Sequence, residues 1–435
     1  MNRTDGDPPE ERPHVVIIGG GFGGLAAAKA LAKAPVRITL VDRRNHHLFQ
    51  PLLYQVASAV LSPGDIAAPI RWVLRDQENV DVLLAEVSRI DTDARKVHFA
   101  ERSMEYDALV VAAGVSHDYF GNDAWAEHAP GLKTLDDALE LRRRILLAYE
   151  QAEWCANPDE RRKLLTFVVV GGGATGVELA GALSEIAQHT LRHDFRHINP
   201  SDARVLLVEG GDKVLPAFRD PIPASALKQL AKVGVEVRLG ERVTKVDADG
   251  VVLGQTRVEA ATVLWAAGVR AAPLATSLGA PQDRAGRVIV EPDGSIPGHP
   301  EVFVIGDLAN HQHAPKADGP APERPLPGVA QTALQMGKHV AKCLAADRAG
   351  QPRPRFVYTD LGSMATIGRS KAVADVFGLR FGGLIAWLMW LFVHLMALVG
   401  FRNRIMVLVQ WAWSYLSFQR NARLIREGEA NESVL

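Results

Sequence analysis

The hydrophobic pattern alternates between short unbroken apolar runs and stretches of helical period. Val15-Val16-Ile17-Ile18, led by His14, has no polar alternation and reads as a strand buried on both faces of a parallel sheet. It runs into Gly19-Gly20-Gly21-Phe22-Gly23-Gly24, then a helix from Leu25, then a second strand ending at Asp42. The same order recurs: a buried strand over 164–170, Gly171-Gly172-Gly173-Ala174-Thr175-Gly176, a helix from Val177, and a strand ending at Glu209. Each half later holds a strand closing on Ala-Ala-Gly, at Ala112-Ala113-Gly114 and at Ala266-Ala267-Gly268. This repetition predicts an α/β fold with two doubly wound, Rossmann-like domains. A charged helical linker around Glu140 to Arg144 lies between them. A further short strand runs into Gly306-Asp307, Pro315 to Pro327 reads as a loop, and the next helix opens at Val329-Ala330-Gln331.

The strand–glycine–helix context gives the two turns a mechanism. Gly19 permits the tight turn, Gly21 lets the backbone approach a diphosphate, and Gly24 lets the helix pack close to the strand. The helix start then offers free N–H groups to the phosphates. Asp42 stands where an acceptor for ribose hydroxyls is expected, and Gly20, Phe22, Gly23, Arg43, Ala113 and Gly114 complete this first candidate site. The second comprises Gly171, Gly173, Thr175, Gly176, Gly268 and Glu209. A carboxylate at Glu209 repels a 2′-phosphate, and Gly210-Gly211 rather than an arginine follows it, so NADH is expected over NADPH. Two dinucleotides on one chain imply electron transfer between them, with a nicotinamide feeding a flavin. Glu178, in the first turn of the second helix, reads either as a charge suited to the helix dipole or as a group beside the nicotinamide–flavin contact.

Composition narrows the class. At 435 residues the chain exceeds one core and suggests two or three domains. Its 49 basic and 50 acidic residues argue against a nucleic-acid partner. Two cysteines, Cys155 and Cys343, form no disulfide framework and read as packed thiols in a reducing compartment. No metal site is expected. Residues 1–11 are polar, read as disordered, and lack the apolar core of a signal peptide, which implies folding in the cytoplasm.

Near the C-terminus charge disappears. Residues 381–401 contain no acid, lysine or arginine and are long enough to span a bilayer, which needs ~20 residues. Arg402 and Arg404 follow, then 405–418 with Trp411, Trp413 and Tyr415, and Arg420 and Arg423 close the stretch. Tryptophan, tyrosine and arginine suit an interfacial helix. Two helices lying in one leaflet are expected ahead of a true span over 381–401. The same helices would also suit a dimer interface.

Three blocks carry a resemblance: Asn45-His46-His47-Leu48-Phe49-Gln50-Pro51-Leu52-Leu53-Tyr54-Gln55-Val56-Ala57, Ala330-Gln331-Thr332-Ala333-Leu334-Gln335, and residues 362–374. With the two glycine turns, the chain resembles the type II NADH:quinone oxidoreductases, single-subunit NADH dehydrogenases that pump no protons, over residues 12 to 420. The resemblance implies an FAD domain over 12–121 and 286–350, interrupted by an NADH domain over 122–285. It also implies a membrane-association and dimerisation region over 351–435. FAD would be held by the first turn with Asp42, Gly306 and Asp307, and NADH by the second with Glu209. Glu178 would lie beside the flavin ring, Gln331 and Gln335 would line a quinone pocket, and Lys371 would lie near flavin and quinone. The acceptor implied is a membrane ubiquinone or menaquinone, reached by a homodimer bound to lipid on the cytoplasmic face. On residues alone, Gln331 and Gln335 project from one helix face at i and i+4 and read equally as an ordinary polar face. Alternatives are another flavoprotein NAD(P)H reductase, a sulfide:quinone oxidoreductase, whose flavin-flanking cysteines have no match here, or a low-turnover flavin sensor at the membrane.

Overall fold

The computed structural model describes residues 12–314, 324–417 and 422–425. The expected disordered segment 1–11, most of the Pro315 to Pro327 loop, and Phe418 and Arg420 lie outside the described residues. The described chain forms two compact units. Unit 1 comprises the chain to His47, Ala68–Ser116 and Val269–Asp360; unit 2 comprises Leu48–Ala67, His117–Gly268 and the chain from Leu361.

Unit 1 opens with β1 (His14–Ile18), α1 (Phe22–Ala30), β2 (Arg37–Asp42), β3 (Val80–Leu84) and β4 (Ala108–Val111). β1 is buried along its whole length, as its unbroken apolar run requires. It pairs in parallel with β2, Val15 opposite Ile38, and with β4, Val16 opposite Leu109.

In unit 2, α2 (Leu135–Trp154) starts at a capping box: Thr134 Oγ1 accepts from the Asp137 N–H at 3.0 Å, and Asp137 Oδ2 accepts from the Thr134 N–H at 2.9 Å. Then follow β5 (Thr166–Val170), α3 (Ala174–Glu185), β6 (Arg204–Glu209), β7 (Val235–Leu239) and β8 (Thr262–Trp265). They make a parallel sheet in the order β7-β6-β5-β8.

The chain then returns to unit 1 with β9 (Ser295–Ile296), β10 (His299–Val304) and α4 (Ala330–Arg348). The six-stranded sheet runs β9-β10-β4-β1-β2-β3, with β9 the antiparallel edge. α4 lies directly on α1: a Cβ at Gly337 would stand 2.3 Å from the Gly23 carbonyl oxygen, so the crossing needs glycine there.

The chain ends in unit 2 with an antiparallel sheet of β11 (Ser363–Gly368), β12 (Lys371–Val376) and β13 (Leu379–Gly382), followed by α5 (Leu384–Ala397) and α6 (Phe401–Ser417). β11 docks on α3 through Gly181, where a Cβ would come within 1.8 Å of the Ile367 oxygen.

The alternative of a true span over 381–401 falls here, and two separate helices form as expected. Phe381 and Gly382 end β13, and α5 covers only 14 residues. Leu398 is extended and Gly400 is left-handed at φ +91°, so the chain turns before α6. A helix of that length reaches only ~21 Å at ~1.5 Å per residue, short of the ~30 Å hydrocarbon layer. Among the described residues no helix is long and apolar enough to cross a membrane.

Candidate dinucleotide and acceptor sites

In unit 1 the first glycine turn is built by close approach. Gly19 is left-handed at φ +102°, and a Cβ at Gly24 would sit 1.8 Å from the Gly19 oxygen. Nothing lies within 4 Å of where a Gly21 Cβ would be, which leaves the space a diphosphate would fill. Asp42 closes the turn: its Oδ2 accepts from the Gly20 N–H at 2.6 Å and its Oδ1 from the Arg44 N–H at 2.7 Å. His47 adds a hold that sequence reasoning missed. Its Nδ1 lies 3.0 Å from the Gly20 carbonyl, and its ring meets Phe22 edge-on at 5.0 Å. Arg43 points outward and pairs with Glu86 at 3.6 Å. Ala113 and Gly114 leave the end of β4, and open space surrounds Gly114.

Gly306, Asp307 and the glutamine helix converge on this turn. A Cβ at Gly306 would lie 3.2 Å from the Ala333 Cβ, one at Gly23 would lie 3.4 Å from the Ala333 oxygen, and one at Gly328 would lie 3.3 Å from the Asp307 carboxylate. Gln331 and Gln335 are both half-buried on α4. They differ in what they do. Gln335 is tied on both sides of its amide to one backbone residue: Nε2 donates to the Thr359 oxygen at 2.8 Å, and Oε1 accepts from the Thr359 N–H at 2.9 Å. Gln331 occupies the first turn of the same helix, two residues before Ala333.

Unit 2 repeats the turn. Gly171 is left-handed at φ +111°, a Cβ at Gly176 would again sit 1.8 Å from the Gly171 oxygen, and Gly173 again faces open space. Glu209 Oε2 accepts from the Gly172 N–H at 2.6 Å and its Oε1 from the Gly211 N–H at 2.7 Å. Each oxygen keeps a lone pair for a ribose hydroxyl. Thr175 is exposed in the first turn of α3, and Gly268 leaves β8 left-handed at φ +74°.

Glu178, one helical face along from this turn, lines a cavity of about 100 Å³ that opens to solvent. Its walls include Tyr54 and Gln55, Glu185 of α3, Arg369, and Trp387, Trp390, Trp411 and Tyr415 of α5 and α6. Trp411 donates its indole N–H to Gln55 Oε1 at 2.7 Å, and Gln55 Nε2 donates to the Tyr54 hydroxyl at 2.9 Å. The Arg369 guanidinium lies 4.0 Å over the Tyr415 ring. Burial pushes the Glu178 carboxyl up to about 8, opposed only by the Thr366 N–H at 3.4 Å. Tyr54 and Gln55 are cavity residues that belong to the Asn45–Ala57 block, to which sequence alone attaches no role. Lys371 opens β12 after the left-handed Ser370, and among the described residues it is not part of the cavity wall.

The two cysteines differ: Cys343 is packed in the core, whereas Cys155 is half-buried. Cys343 is fully buried, 3.3 Å from His339 Nε2, and burial pushes its thiol up to about 12; Cys155 caps the end of α2. No cluster among the described residues could hold a metal ion.

Residues 13–337 match the pyridine nucleotide-disulphide oxidoreductase family, and 361–421 match the NDH2 C-terminal domain. A Mycobacterium tuberculosis protein named type II NADH:quinone oxidoreductase Ndh is 48% identical over 440 residues, covering 97% of this chain and 92% of its own. An NDH2 from Plasmodium falciparum, solved in complex with NADH, superposes with a TM-score of 0.86 at 19% identity, covering 96% of this chain and 100% of its own. The sulfide:quinone oxidoreductase of Aquifex aeolicus superposes with a TM-score of 0.72 at 21% identity, covering 90% and 92%. At these identities the two structures speak for the fold alone.

Proposed function

The chain belongs to the type II NADH:quinone oxidoreductases, and from that membership we propose that it oxidises NADH and reduces a membrane quinone through FAD, moving no protons across the membrane. We assign FAD to the unit 1 turn and NADH to the unit 2 turn. Glycine cradles with open space at Gly21 and Gly173, each closed by a carboxylate, fit two diphosphates and two riboses. FAD, when bound, supplies the hydride-accepting and electron-pair-donating chemistry. The chain's own residues do the rest.

Gly21, Gly173 and the starts of α1 and α3 present backbone N–H groups to phosphate. Asp42 and Glu209 receive ribose hydroxyls and fix each nucleotide's direction. Reducing a quinone with NADH takes one proton from solvent, and Glu178, neutral at pH 7, holds one in a wall of the cavity. Gln331, on α4 of unit 1, is assigned to the quinone site by the family resemblance, its amide being able to donate to a carbonyl. Gln335 positions the Thr359 segment. Lys371, which the resemblance places near flavin and quinone, stands outside the wall of this cavity.

The observation that carries the acceptor assignment is the cavity itself. Glu178 shares it with tryptophans from two helices whose outer faces are apolar and exposed. Ile385, Leu388, Phe392 and Met396 form one stripe on α5; Phe401, Ile405, Leu408 and Leu416 line α6. These faces suit a lipid surface, with both helices lying in one leaflet. The cytoplasmic face is favoured because that is where NADH is supplied. A sulfide:quinone activity is disfavoured, since Cys343 is an inert buried thiol.

The test is a steady-state assay on the purified flavoprotein in vesicles. NADH consumption that depends on added quinone, with no pH gradient formed, supports the proposal. Consumption unaffected by quinone sinks it.

A further inference from the structure

The adenosine end of a dinucleotide lies beyond the carboxyl ends of the strands that follow the glycine turn. In unit 2 those are β6 and β7. The loops after them are joined, since the Gly240 N–H donates to the Gly211 oxygen at 2.8 Å. Two side chains flank the Gly210-Gly211 pair. On one side is Glu209, which accepts from the Gly211 N–H. On the other is Arg242, whose Cγ would lie 3.2 Å from a Gly210 Cβ and its Nε 3.8 Å away. The missing side chain at Gly210 is what admits the arginine stem.

Arg242 is exposed, and its guanidinium has no hydrogen bond or ion pair among the described residues. Its neighbour Arg238 is different, being held by Glu236 at 3.0 Å and Glu241 at 3.7 Å. The arginine absent directly after Glu209 in the sequence is therefore supplied from the loop after β7.

We propose that Arg242 is a second determinant of nucleotide choice, binding the adenosine end and meeting the 2′-phosphate of NADPH. This rests on the assignment of the unit 2 turn to the nicotinamide nucleotide. Glu209 repels a 2′-phosphate and sets the preference for NADH; Arg242 offsets part of that repulsion, so the chain also oxidises NADPH. A guanidinium suits both partners, since it stacks on an adenine ring and pairs with two phosphate oxygens.

The test is flavin bleaching by each nucleotide in holoenzyme of wild type, E209Q, R242Q and the double variant. In wild type, NADPH bleaches the flavin with a KM higher than that of NADH. In R242Q the NADPH-to-NADH ratio of kcat/KM falls about tenfold, and the salt dependence of the KM for NADPH changes more than that for NADH. E209Q raises the ratio, and the double variant loses the gain. An R242Q protein whose two nucleotides change equally, or not at all, overturns the proposal. Failure of E209Q to move the ratio overturns the site assignment beneath it.

Discussion

Glu178 accepts only one hydrogen bond from Thr366, its backbone N–H at 3.4 Å, and this weak contact leaves burial to dominate the carboxyl, which rises to about 8. The neutral acid is thus the resting form at pH 7 and is lost above about 8. Acceptor reduction in wild type is expected to fall as pH rises through 8. Glu178→Gln should keep the neutral shape and flavin bleaching by NADH but slow quinone reduction about tenfold to a hundredfold. The alkaline limb should vanish from its pH profile. An unchanged limb would mean another group titrates.

The same residue sets a stability dependence. A carboxyl whose folded value is raised favours folding below its ordinary range and loses that contribution as pH rises through the folded value. Unfolding of wild type should become easier relative to Glu178→Gln between about pH 5 and pH 8, which thermal melts across that range would show.

His311 gives the opposite sign. Burial pushes its imidazole down to about 4, with the Pro292 oxygen its hydrogen-bond partner at 3.4 Å. Its stabilising contribution is present above the ordinary histidine value and lost as pH falls through about 4. Tm should drop on acidification from 6.5, and less steeply in His311→Phe.

The two glutamines should separate cleanly. Gln331→Ala is expected to abolish quinone reduction while flavin bleaching by NADH persists. Gln335→Ala should first cost stability, because two hydrogen bonds to Thr359 are lost at about 0.5–1.5 kcal/mol each. Melting temperature and activity together distinguish them.

The crossing of α4 over α1 is tight enough to test by one carbon. Gly337→Ala places a Cβ 2.3 Å from the Gly23 oxygen. The helices must part, at about 1–3 kcal/mol, and flavin content should fall with the melting temperature.

Most of the nucleotide turns was legible in sequence because their physics is local. Gly19, Gly24 and Asp42 lie within one strand–turn–helix unit, and the unit 2 turn copies it. What was missed depends on partners far along the chain. Thr359 occupies Gln335 from another segment, Arg242 reaches Gly210 from a later loop, and Gln55 meets Trp411 across hundreds of residues. The apolar stretch over 381–401 left a span open as an alternative for a different reason. Hydropathy reports solvent preference, whereas continuity was decided by the backbone at Gly383, Leu398 and Gly400.

The exposed stripe on α5 gives a direct test of the lipid surface. Ile385→Lys with Phe392→Lys should abolish sedimentation with vesicles while a short-chain soluble quinone is still reduced. Loss of dimerisation with vesicle binding intact would assign the face to a second copy instead.

Electrons pass from NADH through FAD to a quinone. Anaerobic double-mixing stopped-flow at the flavin band tests this transfer most directly, with NADH first and a short-chain quinone second. Rapid bleaching by NADH and full recovery on adding quinone are expected. Bleaching without recovery would contradict it, leaving a flavoprotein that NADH reduces for some other acceptor.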